Sequence, residues 1–419
     1  MKRIVEKISH MASHPLARGS AIVLAGTTLA NIGAYAYHLV VGRLLGPQQY
    51  GELASLFSFS YLLNVPSLVL QTVLTKYIAG FRAKQEVGKA KSLSLFVMKR
   101  IVIVSLIGTV IIWPLTGIIA GFLHIDHQIS VLYMYLTSAL WFVTVIQAGL
   151  LQGFQMFVPA MILTNVIALL RLGGGAVGAM MGVVETVAAG LITGVLGLLA
   201  YFVPLRFLYR AKEEAHNISA KELVSYSLPS FVSMLGMTSL YSTDILLAKH
   251  FLPPVEAGYY AALSVMGKII FFAGSSVSYV LFPVVAERAK EQSDSRKLVY
   301  SALAAIGFIS LGITAGYALL PKLALVLLFG PSYFPAAPYL GWFGVFLSLY
   351  SLSYLLTMTL LGRGNVIVWL FVAAATLIQI AAITLYHADI SAILWVNCLT
   401  LAGLFIGLLL YYRHAVKNH

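Results

Sequence analysis

Charge is scarce in this chain. Asp, Glu, Lys and Arg together make up 10% of its 419 residues, against roughly a quarter in a soluble globular domain. A soluble enzyme carrying one membrane anchor is therefore excluded. Cysteine is nearly absent: the one Cys, Cys398, rules out a disulfide framework and a cysteine-based metal centre. It reads as a small buried hydrophobe. Long polar stretches are missing too. No gap between apolar runs reaches the roughly 40 residues that a domain needs to fold alone. Acidic residues are few, with 14 Asp and Glu in all. The longest gap on the side read below as outside, 321–335, contains no Asp, Glu or His. A paired carboxylate suited to glycosyl chemistry is absent.

Long apolar runs are what the chain has. Hydrophobic residues make up 60% of it. A hydrocarbon core about 30 Å thick needs about 20 apolar residues per spanning helix. The runs supply that length at 19–44, 51–76, 94–120, 128–151, 158–180, 184–209, 223–250, 256–285, 298–320, 336–361, 366–386 and 390–412. The fold expected is an all-α membrane protein of about twelve transmembrane helices.

The formal net charge of +13 could suggest nucleic acid, but its placement argues against that partner. Basic residues collect in alternate gaps: Lys76, Arg82, Lys84, Lys89 and Lys91; Arg206, Arg210, Lys212 and Lys221; Arg288, Lys290, Arg296 and Lys297; Arg413 and Lys417. Only Arg43, Lys249 and Lys322 fall in the other set, near span ends, where long side chains snorkel to the interface. The positive-inside rule puts both termini in the cytoplasm of a multi-pass cell-membrane protein in contact with anionic lipid. An even number of spans requires the same. Residues 1–18, with Lys2, Arg3, Lys7 and Arg18, read as a basic cytoplasmic lead-in and not as a signal peptide.

The spans fall into two sets of six, 19–209 and 223–412. A charged linker at 210–222 joins them, and a tail at 413–419 follows. The turn Gly46-Pro47-Gln48-Gln49-Tyr50-Gly51-Glu52-Leu53-Ala54 after the first span has a counterpart, Pro253-Pro254-Val255-Glu256-Ala257-Gly258-Tyr259-Tyr260-Ala261, after the seventh. Pro47 pairs with Pro254, Gly51 with Gly258 and Ala54 with Ala261 at one constant offset. Proline stops one helix and glycine permits the tight start of the next. Two copies with the same topology imply a pseudo-twofold axis along the membrane normal. Two six-helix bundles around a central cavity are expected.

Ionisable groups inside hydrocarbon are costly, so each needs a reason. Arg171 and Lys268 lie near mid-depth in the fifth and eighth spans. Asp244 lies about two turns from the outer end of the seventh. Polar residues repeat at helical spacing beside them: Thr27, Asn31, Tyr35 and His38; Asn64, Ser67, Gln71 and Thr75; Ser233, Met237, Tyr241 and Asp244; Ser264, Lys268, Ser275 and Tyr279. Spacings of three and four place them on one helix face. Helix packing accounts for many single Ser and Thr residues. Two mid-depth cations without equal anions favour an anionic ligand. Arg171 and Lys268 are the candidate head-group contacts, with Asn31, Asn64, Gln71 and Tyr241 on the sugar side. Asp244 is the candidate for ion coupling or for pairing with a cation such as Lys268.

His124, Asp126 and His127 sit in a short loop without a matching partner, so a solvated loop is expected and no metal. Gly173-Gly174-Gly175 lacks the strand and the Lys-Ser or Lys-Thr of a phosphate loop. Close helix packing or a hinge suits it better. No cofactor and no catalytic residue is expected.

The run from His38 through Gly42, Arg43, Gly46, Pro47, Tyr50 and Gly51 resembles the start of polysaccharide flippases of the MOP (multidrug/oligosaccharidyl-lipid/polysaccharide) superfamily. The second copy, Asp244 to Tyr260, and its continuation from Lys268 to Phe282-Pro283, are similar in the same way. The resemblance covers nearly the whole chain in span count and repeat. It implies a non-enzymatic, monomeric carrier of the MATE-like fold. Such a carrier moves a polyprenyl-(pyro)phosphate-linked oligosaccharide to the outer leaflet by alternating access. Its partners would be that lipid-linked oligosaccharide, the bilayer and a coupling cation, proton or sodium. Lipid II flippases of the superfamily carry two further helices that this chain lacks. Two rivals remain: a cation-coupled multidrug exporter of the same superfamily, whose cavity should be acidic, and an integral-membrane glycan polymerase or ligase.

Overall fold

In the computed structural model, residues 15–215, 218, 231–290 and 296–417 are described. The first part of the basic lead-in, residues 216–217 and 219–222 of the linker and the start of the 223–250 span lie outside them.

The described chain is helical from end to end. In order come α1 (Pro15–Ala83), α2 (Val87–Phe122), α3 (Ile129–Gly153), α4 (Phe157–Ala179), α5 (Val183–Phe202), the short α6 (Arg206–Arg210), α7 (231–240) and α8 (Thr243–Phe251). Then follow α9 (Pro254–Lys290), α10 (Arg296–Leu319), α11 (Pro321–Leu328), a 3-10 segment (Pro331–Tyr339), α12 (Leu340–Gly362), α13 (Val368–Leu385) and α14 (Ile390–Lys417). A helix satisfies its backbone groups within one segment, without water, as a bilayer demands. Among the described residues, eleven helices are long and apolar enough to cross a membrane, α7 and α8 counting together as one of them. The first runs for 62 residues, Ile22–Ala83, and Gly46 divides it. With φ 72° and ψ 176°, Gly46 breaks the helix in a conformation that a side chain resists. Each half is long enough to span.

Apolar side chains that would be intolerable in water line the helices. Val110 (74% exposed), Phe308 (81%), Leu319 (78%) and Leu385 (74%) are examples. In the most apolar stretch of α2 only 6% is buried. Lipid is the solvent for such faces.

Contacts divide the chain into two compact units. One comprises Met1–Leu44, Pro66–Ile119 and His127–Ser227, as far as these are described. Its core includes Val73, Leu74, Ile78, Leu93, Val97, Ile146, Leu150, Leu151, Tyr201 and Leu208. Small residues let its helices approach. A side chain at Gly178 would meet the backbone of Glu185 and Thr186 at 2.7 Å, and Gly175 lies against the Tyr37 ring. The glycine run thus serves close packing at Gly175. Near the α1–α2 turn, Lys91 donates to the Ala211 carbonyl at 2.9 Å and pairs with Glu213 at 3.6 Å.

The other unit comprises Leu45–Val65, Ala120–Asp126 and Leu228–His419, as far as described. The segment 45–65, framed by Gly46 and Pro66, packs entirely within this unit. Tyr50, 0% exposed, meets the rings of Phe329 at 5.5 Å and Tyr333 at 6.4 Å.

Many hydroxyls of both units bond their own preceding turn. Thr144 gives to the Leu140 carbonyl at 3.0 Å, Thr193 to Ala189 at 2.8 Å and Ser351 to Leu347 at 2.7 Å. Such self-satisfied hydroxyls cost little in lipid and carry no chemistry.

Candidate functional site

The span that carries Asp244 is discontinuous. Residues 231–240 and Thr243–Phe251 are helical, and Tyr241-Ser242 form a turn between them. Asp244 therefore sits in the first turn of α8, at mid-chain within a membrane span. The unpaired N–H groups of that helix start favour a carboxylate there.

Asp244 is fully buried, and a chain of neutral donors ends on it. Tyr260 of α9 donates to Asp244 Oδ2 at 2.7 Å. Asn397 of α14 donates to the Tyr260 hydroxyl at 2.7 Å. Gln379 of α13 donates to Asn397 Oδ1 at 2.8 Å and to the Leu240 carbonyl at 2.9 Å. All four side chains are 0% exposed. Asp244 Oδ1 and Gln379 Oε1 are buried without a hydrogen-bond partner. Each such oxygen costs about 1–3 kcal/mol, so the region has acceptor capacity left unused.

Lys268 of α9 lies in the same unit, 9% exposed. Its ammonium rests over two rings, 4.9 Å from the centroid of Tyr241 and 5.5 Å from that of Tyr61. Among the described residues it makes no ion pair and no hydrogen bond, and its field reaches Asp244. Around the two tyrosines stand more aromatics. Tyr350 is 5.3 Å from Tyr241 and 5.0 Å from Phe271, and Tyr354 is 5.1 Å from Phe271. A desolvated cation over rings is held by about 0.5–2 kcal/mol per ring, while burying it costs several. An anion would recover the difference.

The structure brings together three of the seven sequence-derived site residues: Lys268, Tyr241 and Asp244. Asn64 belongs to the same unit through segment 45–65, and donates to the Ser60 carbonyl at 2.8 Å and to its hydroxyl at 3.0 Å. Arg171, Asn31 and Gln71 belong to the other unit. There Arg171 stands over the Tyr37 ring at 4.9 Å. Asn31 is exposed, and Gln71 packs beside Gly149, where an added carbon would meet it at 3.3 Å. Tyr279's side chain lies outside what is described.

Lys249 corrects the expectation that it snorkels. It is 2% exposed, and the carboxylates of Glu52 and Asp126 act on it there. Segment 45–65 and loop 120–126 cover it and supply its counter-charges. In the His124 loop, His124 stacks on His250 at 5.6 Å and His250 on Phe122 at 4.0 Å. No group of three or more His, Cys, Asp or Glu among the described residues could hold a metal.

The pattern of the sequence missed Tyr260, Asn397 and Gln379. A signal existed: Gln379 and Asn397 are isolated amides in otherwise apolar spans, and such groups need partners.

A family model described as "polysaccharide biosynthesis protein" matches residues 40–338, more than half of the chain. The chain belongs to that family. Solved structures share its fold. An inward-facing multidrug resistance MATE family transporter of the MOP superfamily aligns with TM-score 0.75 at 16% identity, over 93% of this chain and 95% of that one. The lipid II flippase MurJ in an inward closed conformation aligns with TM-score 0.75 at 12% identity, over 94% and 87%. A MOP superfamily transporter from Pyrococcus furiosus, described as having a binding pocket of reverse polarity, aligns with TM-score 0.58 at 17% identity, over 96% of each. The fold is that of MOP superfamily transporters. Among curated proteins no sequence match is found.

Proposed function

We propose that the chain is a flippase for an anionic lipid-linked oligosaccharide, working by alternating access in the cell membrane with both termini cytoplasmic. The carrying observation is the buried Lys268 ammonium, which lies over two rings and has no carboxylate in ion-pair contact among the described residues. An ammonium has three N–H donors, and no described residue accepts a hydrogen bond from them. A phosphate or diphosphate supplies the missing acceptors. Tyr61, Tyr241, Phe271, Tyr350 and Tyr354 offer the flat faces on which sugar rings stack. The polyprenyl tail would stay in lipid while the head crosses, because bare sugar hydroxyls in hydrocarbon lose every water partner. Family membership supports a cargo bound for surface polysaccharide. Arg171 is assigned to the same cargo from the first half, and Asn31, Asn64 and Gln71 to its sugar side. The repeat of six spans on either side of 210–222 is taken as two rocking halves, with segment 45–65 and loop 120–126 going with the second.

Asp244 is the proposed coupling group, taking a proton or a sodium ion in the cycle. Its orphan oxygen and the broken helix beneath it support that role. A buried carboxylate is also what a cation-coupled drug exporter would use, so that reading stays as the second.

The test is leaflet exposure of a polyprenyl diphosphate-linked sugar in proteoliposomes. Lys268→Ala and Arg171→Ala, at matched reconstitution, should each lose most of the flipping. Full activity in both variants would remove the cargo assignment. Efflux of cationic dyes by the intact chain would favour the exporter.

A further inference from the structure

Asp244 and Lys268 are buried charges of one region, and among the described residues neither makes a direct ion pair. Each lies within the field of the other. The hydrogen-bond chain around Asp244 runs in one direction. Gln379 gives to Asn397, Asn397 gives to Tyr260, and Tyr260 must then point its hydrogen at Asp244 Oδ2. Every group that touches the carboxylate donates to it, so the chain is set for the anion. The anion's second oxygen, Oδ1, receives nothing. Lys268 is its counter-charge across space.

We propose that an anion bound at Lys268 and a proton bound at Asp244 arrive together, as one linked event inside this unit. The inference rests on the reading of Lys268 as an anion contact. In the empty site the buried charges are one positive and one negative, and they cancel. A phosphate charge taken by Lys268 uses up that cation and leaves Asp244 as an unbalanced anion in a dry place, which is strongly disfavoured. A proton from water closes the account: one O–H bond forms at Oδ1, Tyr260 keeps its bond to Oδ2, and no bond in the protein breaks. The occupied site is again neutral, and one proton travels with each phosphate charge that Lys268 neutralises.

The groups facing this pair are few. On α9, Tyr260 and Lys268 itself face Asp244. From α14 come Asn397 and, beside Tyr260, the Cys398 thiol. From α13 comes the neutral Gln379 amide. Segment 45–65 presents Tyr61 to Lys268. Farther along α8, Lys249 answers to Glu52 and Asp126 instead.

Linkage is reciprocal: if the anion brings a proton, acid must tighten the anion. The test uses the full chain in nanodiscs of neutral lipid, with farnesyl diphosphate as the probe, over pH 5.5–8. Calorimetry in two buffers of different ionisation enthalpy counts the protons. The intact chain should take up about one more proton per ligand than Asp244→Asn, which corrects for the probe's own ionisation. Its affinity should rise by up to about tenfold per unit fall in pH beyond the slope seen in Asp244→Asn. Should Asp244→Asn not fold, Tyr260→Phe replaces it. Removing that donor should move the steep part of the curve to higher pH, and an unmoved curve overturns the proposal. Equal proton counts in the intact chain and Asp244→Asn also overturn it. So does an affinity set by sodium, exchanged for choline, and indifferent to pH. The underlying reading fails separately, if Lys268→Gln binds the probe as the intact chain does.

Discussion

Gly51 and Gly258, the matched glycines of the two copies of the turn motif, pack directly on each other. A carbon added to Gly51 would lie 3.0 Å from the Gly258 nitrogen. One added to Gly258 would collide with the Pro47 carbonyl, itself part of the first copy. The repeat legible in the sequence is therefore also a contact between its two copies, made where the charge pattern puts the outside. Both glycines belong to one compact unit.

Backbone atoms bound this contact, and no rotamer change relieves it. Gly258→Ala should cost about 1–3 kcal/mol by overpacking. It should lower the melting temperature of the purified chain and depress flipping. Gly46→Ala tests a different cost at the same turn. Nothing lies within 4 Å of an added carbon there, but φ is +72°. About 1–2 kcal/mol of backbone strain is expected. Melting curves of the two variants, with Gly80→Ala as a control in open space, check both.

Breaking the donor chain should destabilise before it disables. Asn397→Leu removes the donor to Tyr260 and the acceptor for Gln379, which is fully buried. Leaving such groups unpaired costs about 1–3 kcal/mol each. Gln379→Leu, which leaves Asn397 Oδ1 and the Leu240 carbonyl without that donor, should cost a similar amount. The double variant should cost less than the sum, because the two side chains share one bond. Thermal unfolding of the three variants decides this; strict additivity would remove the network.

Much of the fold was legible because bilayer physics is crude: length and apolarity mark a span whatever packs beside it. Gly46 and the paired Gly51 and Gly258 could be read for a similar local reason, since turns need particular residues. Lys268, Tyr241 and Asp244 were legible as polar residues at helical spacing in hydrocarbon. The partners of Asp244 were not. Tyr260, Gln379 and Asn397 come from three helices, and no spacing within one helix encodes that meeting. Tyr350 and Tyr354 carry no charge or motif that the sequence singles out, and only the fold sets them against Tyr241 and Phe271. The break at Tyr241-Ser242 carries neither Gly nor Pro, so no local signal announced it. Lys249 looked like an interfacial lysine because Glu52 and Asp126 are far away along the chain.

Lys268→Met separates binding from folding. The substitution gives up two ring contacts, worth about 0.5–2 kcal/mol each. It also relieves the cost of a buried ammonium, which is several kcal/mol. These terms oppose, so the melting temperature should change little. Affinity for a prenyl diphosphate should fall at least about tenfold, or 1.4 kcal/mol. Lys268→Arg keeps the charge and should recover part of that loss. A Met variant that unfolds, or one that binds normally, contradicts the assignment.

Arg171 depends on a glycine one turn further along its own helix. Gly175 leaves room for the Tyr37 ring, and that ring, 3% exposed, carries the Arg171 guanidinium over its face. Gly175→Ala pushes a carbon into the ring, and a buried ring has nowhere to go. The expected cost is about 1–3 kcal/mol, with a loss of flipping because Arg171 loses its platform. Tyr37→Leu in the same chain frees the space and should restore most of the stability. It cannot restore the ring under Arg171, so flipping should stay low. Recovery of both together would mean that Tyr37 is packing alone, and that Arg171 does not need it.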